Sequence, residues 1–460
     1  DRCEINLEAF VSNSLRACND LGYASAILKK SSYNIFLKDY SAERLDLKDC
    51  INDVKNFQPD VVFVSITNGS IFSDIEFIKK LKAEKEDIVI ILKGALFFNP
   101  DASLFNELDL KNIDYLIGGE VEFIISKVLH AIFINPEKLT EIEGICYKEN
   151  NKWMINKVNH FEDKLDDIPF PNRSLMKNEL YINPATNKTM ATINTSRGCP
   201  SSCIYCISPL ISGRQIRYRS IQNVFDEINE CVEKYNITDF FFKSDTFTMD
   251  KEWVINLCNL IINSKLRNRI NWVANSRVNT IDNDILQKMQ EAGCSLIALG
   301  LESGSDDSLL KMKKGTNVEQ NIQAVNLIKK YNIKIFGYYL IGFPWETKKH
   351  LNDTKKLMFK LNTDFIELSV ATPFKGSKLY EMIYGNTRNG KQVLGKDSYK
   401  YITRGTNYLT YKELENFRKN TLLLYYLRPK FILKKLTDKN LTYDIFLNYI
   451  KYGIKMLKNT

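Results

Sequence analysis

Residues 196–209 read SRGCPSSCIYCISP, and the three thiols of this one loop, Cys199, Cys203 and Cys206, decide how the rest of the chain is read. Ten cysteines placed at random along the chain would give a C-x3-C-x2-C pattern roughly 0.005 times, so chance explains it poorly. Thiolates are soft ligands that suit zinc or iron–sulfur clusters. A structural zinc site normally takes four protein ligands as two pairs far apart in sequence. No second pair or nearby histidine follows here. The spacing therefore fits a 4Fe–4S cluster whose fourth iron is left open to a small molecule; the alternative is a structural cluster or an incomplete zinc site.

Outward from this loop, six strand-then-helix units can be read between residues 189 and 380. Their strands are TMATINT (189–195), ITDFFFKS (237–244), RINWVANS (269–276), CSLIALGL (294–301), KIFGYYLIG (334–342) and DFIELSVAT (364–372). Apolar runs alternating with helix-period segments mean a parallel sheet covered by helices, here a partial (β/α)6 barrel. The cysteine loop follows the first strand. Asp245 follows the second, Arg277 the third, Glu302 ends the fourth and Gly342 the fifth. In parallel barrels that rim is where sites are built.

The first 140 residues read as a second α/β unit of doubly wound, Rossmann-like type. Its expected elements are a helix over 12–30, strands NIFLKDY (34–40), PDVVFVSIT (59–67), DIVIILKG (87–94) and IDYLIGG (113–119), and a helix from residue 120. Turns bearing Thr67, Gly94, and Gly118-Gly119-Glu120 follow successive strands, and glycine there lets a backbone approach a bulky ligand. Residues 141–185 hold a hairpin, GICYKENNKWMINKV (144–158) with its turn at Asn150-Asn151, and then a proline-bearing linker. The barrel is expected over 186–381 and a basic helical domain over 382–460. The fold would normally start with a strand before the first helix, which suggests a truncated N-terminus.

With 44% hydrophobic and 26% charged residues the chain belongs among globular proteins. No apolar run is long enough to span a bilayer, and a cytoplasmic, reducing and anaerobic setting is expected, with the seven scattered cysteines as buried free thiols. From residue 382 onward there are sixteen Lys or Arg against five Asp or Glu, so the net charge of +9 leaves about −2 for everything before it. That distribution argues against a nucleic-acid groove across the main body. The segment from Leu414 to Leu436 mixes Arg418, Lys419, Arg428, Lys430, Lys434 and Lys435 with leucines and tyrosines. Two readings stand: an interfacial helix presented to a membrane surface that delivers a lipid or other apolar substrate, or a helix packed on the barrel. Pro429 should split it in two.

The cysteine loop, with Tyr205 at the aromatic position of C-x3-C-x-aromatic-C, resembles that of the radical SAM superfamily. LGYASAILKKSSYNIFLKDYSAE, QPDVVFVSIT, IDYLIGGEVEF, IRYRSIQNVFDEI, GLESGS, YYLIGFPWET, VATPFKGSKLYE and FRKNTLLLYYLRPKFILKKL follow in an order similar to its cobalamin-binding-domain class. The resemblance implies that Cys199, Cys203 and Cys206 hold the cluster and that the open iron chelates S-adenosylmethionine, whose sulfonium is cleaved to a 5′-deoxyadenosyl radical. It implies Tyr205 and the backbone at Gly342 against the adenine, Glu302 on the ribose hydroxyls, Asp245 at the methionyl ammonium and Arg277 near its carboxylate. For Asp245 and Arg277 the alternative is a salt bridge at the barrel rim. Cobalamin would lie against Thr67, Gly94, Gly118, Gly119 and Glu120.

The family's D-x-H-x-x-G motif is absent. The chain has only His130, His160 and His350, and His130 reads as a partly buried structural residue. Cobalamin would thus be held without a protein imidazole. The resemblance further implies a small-molecule or lipid substrate, a reducing partner such as flavodoxin or ferredoxin, and either cobalamin-dependent methyl transfer or an oxidative cyclisation or rearrangement. Two alternatives are a methylthiotransferase and a non-enzymatic iron–sulfur redox carrier. The first would need three further cysteine ligands, and Cys3, Cys18 and Cys50 lie in unlike surroundings.

Overall fold

A computed structural model of the protein describes residues 15–385 and 405–436, with side chains at 430 and 434–436 outside the description. The described residues form two units, one over Ala17–Tyr181 and one starting at Ile182.

The first unit contains, in chain order, α1 (Asn19–Lys30), α2 (Tyr40–Glu43), α3 (Leu47–Phe57), β1 (Val61–Ser65), α4 (Ile71–Glu84), β2 (Val89–Lys93), α5 (Ala102–Glu107), β3 (Tyr115–Ile117), α6 (Val121–Phe133), β4 (Ile145–Glu149) and β5 (Lys152–Ile155). Strands β1, β2 and β3 run parallel and adjacent; β4 and β5 add an antiparallel hairpin to β3. The strand alternation sorts side chains onto two faces. Ile90, Leu92 and Leu116 meet α3, α4 and α5, whereas Ile91, Ile117, Ile145 and Tyr147 meet α1 and α6. Helices on both faces are the doubly wound arrangement. Asn150 and Asn151 both take left-handed φ, +49° and +61°, as a two-residue hairpin turn of the right twist requires.

Two expectations need correction. Helix α1 begins at Asn19, after Cys18 as its N-cap, and not near residue 12. Residues 34–39 pair with no strand among the described residues. Side chains hold this segment instead: Tyr33 and Ile35 pack beside α1 and α6, Phe36 lies 5.4 Å from Phe57 and remains 47% exposed, and Lys38 pairs with Asp53 at 2.7 Å.

The second unit opens with β6 (Ile182–Asn183), β7 (Lys188–Asn194), β8 (Ser196–Arg197), α7 (Ser208–Ile211), β9 (Arg217–Tyr218), α8 (Ile221–Tyr235), β10 (Asp239–Lys243), α9 (Lys251–Ile262), β11 (Asn271–Ser276) and α10 (Asn283–Glu291). It continues with β12 (Cys294–Glu302), α11 (Asp306–Lys311), α12 (Val318–Lys330), β13 (Lys334–Ile341), α13 (Lys348–Leu361), β14 (Phe365–Val370), α14 (Lys378–Tyr384), α15 (Tyr411–Tyr426) and α16 (Pro429–Leu436). Strands β7, β10, β11, β12, β13 and β14 are parallel neighbours in sequence order, with β6 antiparallel at one edge. This is the expected six-unit partial barrel.

Its main core lies between sheet and helices, around fully buried Trp272, Phe242, Phe240 and Tyr339. Helix α15 contributes Leu414, Leu422, Tyr425 and Tyr426 to that core. The Tyr426 hydroxyl both donates to the Ile366 carbonyl at 2.7 Å and accepts the Ile366 amide at 2.9 Å, and so pairs the outer edge of β14. The apolar side of this helix thus packs, while Leu424, Leu427, Ile432 and Leu433 stay exposed. Among the described residues no helix is long and apolar enough to cross a membrane. Pro429 does divide the segment, as the first residue of α16.

Candidate functional site

The cysteine loop leaves the barrel after β7 and is pinched at its base by the two-residue ladder of β8 with β9. Gly198 has φ +96°, and a Cβ there would overlap the Gln215 carbonyl, so only glycine can turn the chain so close to its own return. The buried Arg217 secures the return by donating to the Ser212 carbonyl at 3.0 Å. Arg219, also buried, pairs with Glu227 of α8. Those two arginines account for the IRYR stretch.

Cys199 is buried, with its amide donating to Gly213 at 3.0 Å, while Cys203 and Cys206 are partly exposed. Two donors reach the sulfurs: the Ser208 amide to Cys206 Sγ at 3.4 Å and Arg277 Nη1 to Cys203 Sγ at 3.5 Å. Burial pushes the Cys206 thiol up, and the Ser208 contact opposes it. Among the described residues no three Cys, His, Asp or Glu converge as ligands of a single ion. A cluster asks each thiolate for a separate iron, and three thiols in one loop with donors on two of them fit that requirement.

Beneath the loop, the Ile204 amide donates to the Met312 carbonyl at 3.0 Å and its carbonyl accepts the Leu379 amide at 2.8 Å. Tyr205 then stands edge-on to Phe343, 5.8 Å between ring centroids. Its hydroxyl is held well above the usual phenol range, by burial first and by the neighbouring Glu302 carboxylate second.

Glu302 ends β12 at a bulge and takes a left-handed φ of +58°, unusual for a non-glycine residue. Its Oε1 accepts Lys314 Nζ at 2.7 Å, with both side chains buried. A Cβ on Gly300 would come within 2.5 Å of both atoms, so the glycine makes room for the pair. Gly304 abuts the α13 backbone at Asp353, and its amide donates to Thr354 Oγ1 at 3.0 Å.

Gly342, with φ +94°, begins the turn after β13. The buried Glu346 closes that turn, accepting the Gly342 amide at 2.7 Å, the Phe343 amide at 3.2 Å and the Ser308 hydroxyl at 2.9 Å. Burial raises its carboxyl to about 7 despite these donors. Ser308 also accepts Trp345 Nε1 at 3.1 Å.

Asp245 sits on the rim after β10. Below it hydroxyls tie the strand ends together: Ser196 to Ser244 at 2.7 Å, Thr248 to Ser276, and Thr248 to Thr280 at 2.6 Å. Arg277 is not its salt-bridge partner. The guanidinium goes instead to Cys203 and to the Lys314 carbonyl. Direct contacts thus connect Cys203, Arg277, Lys314 and Glu302, and Tyr205, neighbouring that carboxylate, meets Phe343 next to Gly342, while Asp245 occupies a neighbouring strand end. Sequence reasoning missed Lys314, Ser308 and Glu346. Glu346 lay inside YYLIGFPWET, but nothing singled out Lys314 among Lys311, Lys313 and Lys314.

In the first unit, Thr67, Gly94, Gly118, Gly119 and Glu120 all follow the C-terminal ends of β1, β2 and β3. The Thr67 amide donates to Ser70 Oγ at 3.2 Å, and Glu120 is the N-cap of α6. The chain's own backbone already crowds two of the glycines: a Cβ would touch Ile66 at Gly94 and overlap the Phe97 carbonyl at Gly118. Lys93, between these turns, is paired with Asp20.

His130 is exposed in the last turn of α6, and not partly buried as the sequence suggests. Helix α6 starts beside the strand ends, so nine residues at about 1.5 Å each carry His130 away from that edge. His160 is exposed and bonded to Glu143 at 3.0 Å, and His350 caps α13. The edge offers hydroxyl, amide and carboxylate groups, which fit a cobalamin ligated without protein imidazole.

Residues 193–358 match the family model of the radical SAM superfamily. An uncharacterised methyltransferase of Pyrococcus horikoshii is 29% identical over 91% of this chain and 89% of its own length. The anaerobic magnesium-protoporphyrin IX monomethyl ester cyclase of Cereibacter sphaeroides is 24% identical over 83% of this chain and 62% of its own. Among solved structures, the radical S-adenosylmethionine methyltransferase TsrM of Kitasatospora setae, with cobalamin and a [4Fe-4S] cluster bound, shares the fold over 97% of each chain at 16% identity, TM-score 0.72. The cobalamin-dependent S-adenosylmethionine radical enzyme OxsB, with aqua-cobalamin bound, does so over 96% of this chain and 78% of its own, at 16% identity and TM-score 0.70.

Proposed function

We propose that the chain is a cobalamin-dependent radical SAM methyltransferase, of the class that joins a cobalamin-binding-type domain to the radical SAM barrel. The observation that carries the reading is the line of contacts from Cys203 through Arg277 and Lys314 to Glu302, with Tyr205 neighbouring that carboxylate. It joins a cluster-type thiol loop to a carboxylate and an aromatic wall suited to a nucleoside.

In this reading Cys199, Cys203 and Cys206 hold the 4Fe–4S cluster, and Tyr205 and the backbone at Gly342 flank the adenine of S-adenosylmethionine. The Glu302 carboxylate accepts the ribose hydroxyls, as its several lone pairs allow. Asp245 meets the methionyl ammonium, and Arg277 serves the adjoining carboxylate while donating to the cluster sulfur. When bound, these groups supply a one-electron reductant, an activated sulfonium and, through cobalamin, a transferable methyl group. Glu346 keeps the adenine-lining turn fixed by holding both of its amides. Cobalamin lies at the strand-end edge bearing Thr67, Gly94, Gly118, Gly119 and Glu120, without a histidine. The substrate is a small organic molecule, and a flavodoxin or ferredoxin supplies the electron.

Similarity to the cyclase of Cereibacter sphaeroides supports a second reading, oxidative cyclisation on the same scaffold. Anaerobically reconstituted protein, reduced with titanium(III) citrate and given S-adenosylmethionine and hydroxocobalamin, separates the two. A methyltransferase would pass a methyl group to the reduced, unmethylated carrier and release S-adenosylhomocysteine, beside any 5′-deoxyadenosine from reductive cleavage, whereas a cyclase would give 5′-deoxyadenosine without S-adenosylhomocysteine. A chain that holds a full cluster and forms neither product is not an enzyme of this kind. The Cys203→Ala chain, lacking one of three thiolates, is the control and should lose both iron and turnover.

A further inference from the structure

The turn between α11 and α12 carries three contacts that no other segment among the described residues combines. Its Met312 carbonyl holds the Ile204 amide of the cysteine loop at 3.0 Å. Its Lys314 carbonyl holds Arg277, the same guanidinium that reaches Cys203 at 3.5 Å. The Lys314 ammonium, 5% exposed, reaches the Glu302 carboxylate at 2.7 Å. Two left-handed residues, Lys313 at φ +52° and Gly315 at φ +73°, bend the chain so that side chain and carbonyl of one residue serve two partners.

Glu302 itself is poorly placed to keep its orientation alone. It sits at a bulge with a positive φ, it is buried, and a buried carboxylate without a cation is strongly disfavoured. We propose that Lys314 is the positioning residue of the nucleoside subsite: it neutralises and aims the Glu302 carboxylate, leaving that group's remaining lone pairs to accept the two ribose hydroxyls. This rests on the reading of the barrel rim as an S-adenosylmethionine site. Lys314 touches no reacting atom. It acts through Glu302, and Gly300 is glycine because the pair fills the volume of its Cβ.

Calorimetry with S-adenosylhomocysteine on the anaerobically reconstituted full chain, normalised to cluster content, tests this without turnover. The unsubstituted chain should bind. If it holds a full cluster and does not bind, the proposed function fails and takes this inference with it, a failure visible before any variant is made. Given binding, Lys314→Met should weaken it tenfold or more, and Lys314→Arg should restore it to within threefold, which a purely structural role in the turn would not require of a cation. Affinity of Lys314→Met within threefold of the parent, or tighter, would overturn the proposal, because the ammonium would then merely fill a space the nucleoside takes over. Should Lys314→Met fail to hold its cluster, Gly300→Ala reads the same contact with both charges kept. Tenfold weaker binding is expected there, and unchanged binding counts against the proposal equally.

Discussion

Glu346 accepts the Gly342 amide at 2.7 Å from a fully buried position with no cation beside it among the described residues, so the carboxyl that fixes the turn after β13 is itself held up at about 7. The native state therefore binds its proton more tightly than the unfolded chain, where the value is 4.5. Stability from this group is greatest below 4.5, falls as the pH rises toward 7 and levels off above. The span corresponds to roughly 3 kcal/mol. Denaturant midpoints measured between pH 4.5 and 8 should show this slope, and Glu346→Gln should flatten it. Parallel slopes in the two chains would remove Glu346 as its source.

Arg277 donates to the Cys203 sulfur, and hydrogen bonds and positive charge at cluster sulfurs favour the more negative, reduced cluster. Replacement by methionine should therefore move the cluster potential downward at unchanged iron content. Potentiometric titration followed by electron paramagnetic resonance reads this directly, and an unmoved potential would mean the guanidinium leaves the sulfur once iron is bound.

Gly118→Ala should destabilise the first unit by about 1 to 3 kcal/mol, since the new methyl must displace the Phe97 carbonyl, which is backbone and cannot rotate away. Thermal unfolding monitored by tryptophan fluorescence checks it. Trp153 on β5 lies in that unit. A neutral result would show that the turn relaxes freely, as a ligand-adapting loop would.

Tyr426→Phe removes one hydroxyl that satisfies both the amide and the carbonyl of Ile366. A cost of about 1 to 3 kcal/mol follows from leaving buried backbone groups unpaired. Tyr425→Phe, which loses a donor to the Thr363 carbonyl, should cost less because only one acceptor is stranded. Equal losses would point to ring packing as the common cause.

Barrel strands β7, β10 and β12 were legible because their largely apolar runs carry consecutive buried residues between flanking polar turns, whereas β11 alternates buried with half-buried positions. The rim was legible for the same reason: when strand ends are known, so are the residues that follow them. Residues 34–39 misled because a short apolar run, Ile35-Phe36-Leu37, is consistent with a strand but does not supply a ladder partner. Lys314 was hidden because three lysines in four residues look alike until the fold buries one. Glu346 could be seen but not weighed, since its role depends on two backbone amides and a serine from α11. His130 was placed correctly on its helix, but helical phase alone did not tell which side of α6 would face solvent.

A sheet that stops at six parallel strands must end somewhere, and at β14 it ends against a phenol. Tyr426 occupies the hydrogen-bonding positions at Ile366 that a seventh strand would claim, so the barrel's incompleteness is a terminated state and not an unfilled one. The same hydroxyl guards against self-association. An uncapped β14 would expose a row of unpaired amides and carbonyls, a template to which another copy of the chain could add a strand.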